Sequence, residues 1–93
     1  MSVVHVAGKK SHGLMLYALS TCGWCRKTRE LLESLGVEYD YEYVDLLAGE
    51  ERAKALQTVT RWNRDCSFPT LVIDNQACIA GFKEVEIREA LAK

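Results

Sequence analysis

The sequence predicts an α/β fold, a mixed four-stranded sheet with helices packed on both faces. Three observations carry this. Strand-like and helix-like segments follow one another in the order β-α-β-α-β-β-α. The first apolar run, Leu14-Met15-Leu16-Tyr17-Ala18-Leu19, passes through a Ser-Thr-Cys-Gly turn directly into an amphipathic helix. Near the other end, Thr70-Leu71-Val72-Ile73 is separated from the next strand-like run by little more than Asp74-Asn75. Strands joined through a helix lie parallel, whereas so short a link requires an antiparallel hairpin.

Each element has its own signal. Leu14 to Leu19 is short and apolar throughout, as a buried central strand is. From Cys22 to Leu35, the residues Cys25, Thr28, Leu31, Leu32 and Leu35 share one helical face. Arg26, Lys27, Arg29, Glu30 and Glu33 occupy the others, and Gly36 supplies a stop. Val37 to Asp45 reads as a strand in which Tyr39, Tyr41 and Tyr43 alternate with acidic residues. Gly49 to about Arg61 has helical composition, with Ala53, Leu56 and Val59 at three-residue spacing and Trp62 placed to cap the helix against the core. Asn63 to Ser67 reads as a loop and Gln76 to Ala80 as the hairpin partner. Gly81 leads into a last helix, Lys83 to Leu91, expected to bury Val85, Ile87 and Leu91. Residues 1–12 form either a leader or an extra edge strand, and 13–93 a single domain.

Composition removes several classes of function. The 93 residues suffice for one modest core. A formal net charge of −1 gives no electrostatic footprint for nucleic acid or an acidic membrane, and no run approaches the ~20 apolar residues of a membrane span. Lys9 and Lys10, the run from Leu14 and the sequence Leu19-Ser20-Thr21-Cys22 outline a lipoprotein signal. That run is short, however, and cleavage at Cys22 would remove the first central strand, so a cytoplasmic protein is expected. Four cysteines in so short a chain suggest a disulfide scaffold. Yet Leu, Val, Ile and Ala are plentiful and Gly and Pro few, so the chain builds a core without staples and its paired cysteines read as reactive.

Cys22-Gly23-Trp24-Cys25 is the chemical centre of the sequence. Two intervening residues bring both sulfurs within disulfide range across the first helical turn. Cys22 lies where a strand gives way to a helix, so unpaired N–H groups and the positive end of the helix dipole surround its sulfur. Such surroundings favour a thiolate and make Cys22 the nucleophile, with Arg26 one turn further on adding to the effect. Cys25, a turn into the helix on its apolar face, is the shielded, resolving thiol. The bland readings are half of a zinc site, for which no second pair at matching spacing exists (Cys66 and Cys78 stand twelve apart), or small core residues. Pro69, the one proline of the chain, begins the third central strand. It is either a strand-start device or a cis residue that turns the Phe68 backbone toward an extended substrate.

Three motifs in this order resemble the glutaredoxins: the run from Leu16-Tyr17 to Cys22-Gly23-Trp24-Cys25, then Phe68-Pro69-Thr70, then Ala80-Gly81-Phe82 before the last helix. The resemblance implies a thioredoxin-like fold with sheet order 2-1-3-4 and a cis-Pro69 beside the cysteine pair. It also implies reduction of protein or glutathione mixed disulfides, with glutathione as co-substrate and disulfide-containing proteins and small thiols as partners. Thr21, Trp24, Phe68, Pro69, Gly81 and Phe82 fall where the family meets its thiol substrate. The chain departs from the family in having Gly-Trp between the cysteines. It also has Leu19-Ser20-Thr21 where a lysine is common, and Phe82-Lys83-Glu84 where an acidic residue usually follows the glycine. Glu84 or Asn63 is left to hold a glutathione amino group, and Arg61 or Arg64 a carboxylate.

Two alternatives come with the same resemblance. Glutaredoxins without proline after the first cysteine can hold a 2Fe-2S cluster between two subunits, with glutathione completing the ligands, and Gly23 meets that condition. Gly81-Phe82-Lys83 is similar to redoxins that thioredoxin reductase recharges and that donate electrons to ribonucleotide reductase. The favoured expectation is a monomer with no bound metal. Cys66 reads as a loop or packing residue, Cys78 as a small hydrophobe, and His5 and His12 as leader residues without a ligand role.

Overall fold

The computed structural model describes residues 3–10 and 12–92; Met1, Ser2 and Ser11 of the leader, and Lys93, lie outside the described residues. Along the chain run β1 (Val4–Val6), β2 (Leu14–Ala18), α1 (Gly23–Ser34), β3 (Tyr39–Tyr43), a short 3-10 turn at Val44–Leu46, α2 (Gly49–Trp62), β4 (Thr70–Ile73), β5 (Ala77–Ala80) and α3 (Glu84–Leu91). The described sheet has five strands rather than four, in the order β1-β3-β2-β4-β5. Counted from Leu14, the four expected strands keep the 2-1-3-4 arrangement, and β1 adds to its outer edge, antiparallel to β3 with Val4 opposite Tyr41. β2 is parallel to β3 and antiparallel to β4, and β4 to β5.

Burial explains the layers. Leu14, Leu16 and Ala18 alternate to one face of β2 and join Leu71, Ile73, Tyr39, Cys25, Leu31, Leu32 and Ile87 in the main core, so α1 and α3 cover that face. Tyr17, Leu56 and Phe68 pack with Val44, Leu47 and Ala55 in a second cluster, so α2 covers the other. All four residues of β4 are buried, as a strand covered on both faces requires. The Asp74-Asn75 turn has φ of 53° and 54°, the twist of a tight hairpin, and Gln76 N–H bonds back to the Ile73 carbonyl at 3.0 Å.

Three local expectations change. The strand foreseen over Val37–Asp45 is shorter, because beyond Tyr43 the chain tightens into the 3-10 turn that buries Val44, and Leu47 follows it into the core. In α2 the buried positions are Ala55 and Val59, while Ala53 is exposed: its spacing from Val59 suited a helical stripe, but the stripe that meets the sheet is narrower. Val85 is 68% exposed, since only Ile87 of α3 is fully buried and Ala90 and Leu91 flank it against the core.

The leader segment is fastened by backbone geometry. Lys9 N–H bonds to the Gly36 carbonyl at 2.8 Å and Glu38 N–H to the Lys9 carbonyl at 3.0 Å. Gly8 lies so close beneath this crossing that a Cβ there would come within 2.7–2.8 Å of the Gly36, Val37 and Glu38 backbone. The Nδ1 of His5 is 2.6 Å from Asp40, and that of His12 is 2.8 Å from Asp74, which also accepts the Gly13 N–H at 2.7 Å.

Candidate active site

The parallel strands β2 and β3 end side by side, and the turn after β2 opens α1. Cys22 is the N-cap of that helix, with extended dihedrals (φ −88°, ψ 118°), and its Sγ accepts the Cys25 backbone N–H at 3.2 Å. A cap oxygen normally takes this N–H; here a sulfur does, and a thiolate in that position also meets the positive end of the helix. Cys22 is half-buried and Cys25 is 1% exposed, packed into the main core. Burial, reinforced by the Cys22 sulfur beside it, pushes the Cys25 thiol from 9.0 up to about 12, against an opposing Leu19 backbone N–H. One sulfur is therefore accessible and the other is a desolvated, protonated thiol.

The turn beneath the pair is clasped from the neighbouring strand. Cys22 N–H bonds to the Leu19 carbonyl at 3.2 Å, closing the Leu19–Cys22 turn. Asp45, just past β3, accepts both groups that Ser20 offers: its backbone N–H at 2.8 Å and its hydroxyl at 2.5 Å. These hydrogen bonds hold the Asp45 carboxyl below its ordinary value. Arg52 of α2 in turn donates to the Asp45 carbonyl at 3.1 Å. Neither Ser20 nor Asp45 stands out in the sequence. The available signal is positional, since Asp45 follows a strand parallel and adjacent to the one that ends at the cysteines.

The other expected residues group on two sides. Phe68-Pro69 is cis; Pro69 is fully buried and its carbonyl accepts the Gly81 N–H at 2.7 Å, which joins the second and third motifs directly. Gly81 has φ of 85°, a conformation that favours glycine. Phe68, like Cys22, packs against the core cluster that contains Cys25. On the helical side Trp24 is 59% exposed and stacks on Phe82, with ring centroids 6.0 Å apart and planes 22° apart, while Lys27 Nζ lies 5.2 Å from the Trp24 ring centre. Thr21 is exposed in the turn before Cys22.

This chain matches the glutaredoxin family model over residues 14–78. It belongs to the glutaredoxin family. A glutaredoxin from Methanosarcina mazei is similar in structure over all of this chain and 90% of its own, with 47% identity and a TM-score of 0.92. Methanoredoxin from Methanosarcina acetivorans shares 46% identity over 92% of this chain and 90% of its own, with a TM-score of 0.89. A glutaredoxin-like protein encoded in a rubredoxin operon of Clostridium pasteurianum is 28% identical over 86% of this chain and 99% of its own. The fold is thioredoxin-like, and the chain is a glutaredoxin-type redox enzyme, a thiol–disulfide oxidoreductase.

Residues considered for a glutathione contact are largely engaged elsewhere in this glutaredoxin. Glu84 accepts from Arg88 at 2.9 Å along α3. Asn63 binds the loop that precedes Pro69: its amide donates to Ser67 Oγ at 2.8 Å and to Thr70 Oγ1 at 3.2 Å, and its carbonyl accepts the Asp65 N–H at 3.2 Å. Arg61 and Arg64 are exposed. The basic cluster of α1 divides: Arg29 turns away to Tyr43 at 2.8 Å and Tyr39 at 3.2 Å and lies 4.0 Å over the Tyr41 ring, leaving Arg26 exposed and Lys27 at Trp24. Cys66 sits half-buried in the loop at φ 49°, and the half-buried Cys78 donates its S–H to the Trp62 carbonyl at 3.0 Å.

Proposed function

We propose that this glutaredoxin reduces disulfides of proteins and of low-molecular-weight thiols by a dithiol mechanism, with Cys22 as nucleophile and Cys25 as resolving thiol. One observation carries this: an accessible sulfur that caps α1 and receives the Cys25 N–H, beside a buried thiol held protonated. The Cys22 thiolate attacks one sulfur of the substrate, forms a mixed disulfide and expels the first thiolate, which takes up a proton. Cys25 then gives its proton to solvent and attacks the Cys22 sulfur. The Cys22–Cys25 bond forms and the second substrate thiolate leaves, so two electrons have passed from the pair to the substrate. Trp24, Phe82, Phe68, Thr21 and Gly81 supply the surface on which the substrate sulfur is presented, and the buried Pro69, whose carbonyl takes the Gly81 N–H, fixes where that surface lies.

Glutathione is the proposed co-substrate, two molecules returning the oxidised pair to the dithiol and leaving as their own disulfide. Recharging by a thioredoxin reductase is the second reading, favoured by the engagement of Glu84 with Arg88 and of Asn63 with its loop. The alternative of a cluster between two subunits would draw on Cys22 alone from each chain, since Cys25 lies in the core.

The test is to oxidise the protein, incubate it with reduced glutathione or with thioredoxin reductase and NADPH, and count alkylated thiols by mass spectrometry. Glutathione trapped on Cys22 in Cys25→Ser is the expected outcome for the first route. Reduction by the reductase alone selects the second. A protein that forms no Cys22–Cys25 disulfide under oxidation refutes the dithiol mechanism.

A further inference from the structure

Two features of the turn before the cysteines are not used by the mechanism above. The turn positions Cys22, whose own N–H is fixed to the Leu19 carbonyl and whose Sγ accepts the Cys25 N–H, so it bears on both members of the pair. Yet its middle residues, Ser20 and Thr21, are exposed and bury nothing that would hold them. Leu19 packs against the Val44, Leu47 and Ala55 cluster, but the middle of the turn is held from outside it, by the Asp45 carboxylate, which takes the Ser20 N–H and hydroxyl together while Arg52 secures the Asp45 backbone. A charged acceptor shared by two donors of one residue is a strong and directional tie.

We propose that Asp45 is a positioning residue of the dithiol site, holding the Leu19–Cys22 turn through Ser20 so that the Cys22 and Cys25 sulfurs stay apposed. This rests on the dithiol reading. Ring closure is the step most sensitive to it, because Cys25 must reach the Cys22 sulfur in line with the leaving thiolate, and small misplacements of reacting atoms are costly. Attack on an outside disulfide needs Cys22 alone.

The two steps separate when the reduced protein is mixed with an aromatic disulfide whose thiolate is coloured. The first thiolate is released as Cys22 forms the mixed disulfide. The second is released as Cys25, losing its proton to solvent, forms the Cys22–Cys25 bond. Asp45→Ala is expected to slow the second release about tenfold and leave the first nearly unchanged. Asp45→Asn has the same charge as Asp45→Ala but keeps an oxygen for the Ser20 N–H and an amide for its hydroxyl, so it is expected to close at close to the native rate. Ser20→Ala, which loses only the hydroxyl, is expected to fall between, and serves as well if Asp45→Ala does not fold.

Equal closure rates in Asp45→Ala, Ser20→Ala and the native protein overturn the proposal. So does an Asp45→Asn variant as slow as Asp45→Ala, since the carboxylate charge, not the tie, would then be what matters. A native protein that gives only the first release refutes the dithiol reading itself, a result distinct from either of these.

Discussion

Cys25 shows at the level of one residue how burial becomes chemistry. Its thiol is pushed to about 12 chiefly because a thiolate in the core would lose its solvation, with the Cys22 sulfur adding to the effect. The unfolded chain releases this proton near its ordinary 9.0, so between about pH 9 and 12 the folded state binds more protons than the unfolded one. Stability of the reduced protein is then complete below pH 9 and declines as pH rises toward 12, by at most ~1.4 kcal/mol per pH unit for one proton. Tyr39, buried and also raised to about 12 from 10.0, adds to the decline at the upper end. Urea unfolding of the reduced protein from pH 8 to 11 is expected to show the loss beginning near pH 9, and Cys25→Ser is expected to flatten that first part. An unchanged slope in the variant would mean that Cys25 titrates normally. The sequence made Cys25 legible because helical periodicity placed it on the apolar face. It left Asp45 unread because the tie to Ser20 spans 25 residues and depends on two strand ends lying together.

Two glycines distinguish the elements they belong to. Gly23 opens α1 without a positive φ, and a Cβ there meets nothing within 4 Å. Gly23→Ala is therefore expected to be neutral or to stabilise by up to ~1 kcal/mol, since alanine restricts the unfolded chain more. Gly8, by contrast, lies against backbone that cannot move aside as a side chain would. Gly8→Ala is expected to cost about 1–3 kcal/mol or to release the leader from the Gly36–Glu38 segment. Thermal melts of the two variants test the contrast, and equal melting temperatures would contradict it. In the helices, spacing predicted the buried stripe of α1 well, because twelve residues with a wide apolar face leave little choice of rotation. For α2 and α3 the apolar residues are sparser, and the sheet's position decided that Ala55 and Ile87 face inward while Ala53 and Val85 do not.

At the scale of the whole molecule the sheet order sets a gradient of protection. β2 and β4 lie inside the sheet and are mostly or wholly buried, whereas β1 is a three-residue edge strand with exposed Val4. Hydrogen exchange is expected to be slowest for amides of Leu14–Ala18 and Thr70–Ile73 and fastest among strands for Val4–Val6. Equal protection of β1 would show that the leader unfolds only with the rest. By itself the sequence determined the α/β class, the hairpin at Asp74-Asn75, the helix that follows Cys22 and the placement of Cys25 on its apolar face. Those features depend on local periodicity and turn chemistry, which a single chain displays directly. Tertiary structure alone decided that Val4–Val6 completes a fifth strand, that Trp24 stacks on Phe82, that Gly81 bonds to Pro69, and that Asp45 holds Ser20. Each of these joins residues distant in the chain, and such pairings exist only once the strands have taken their order in the sheet.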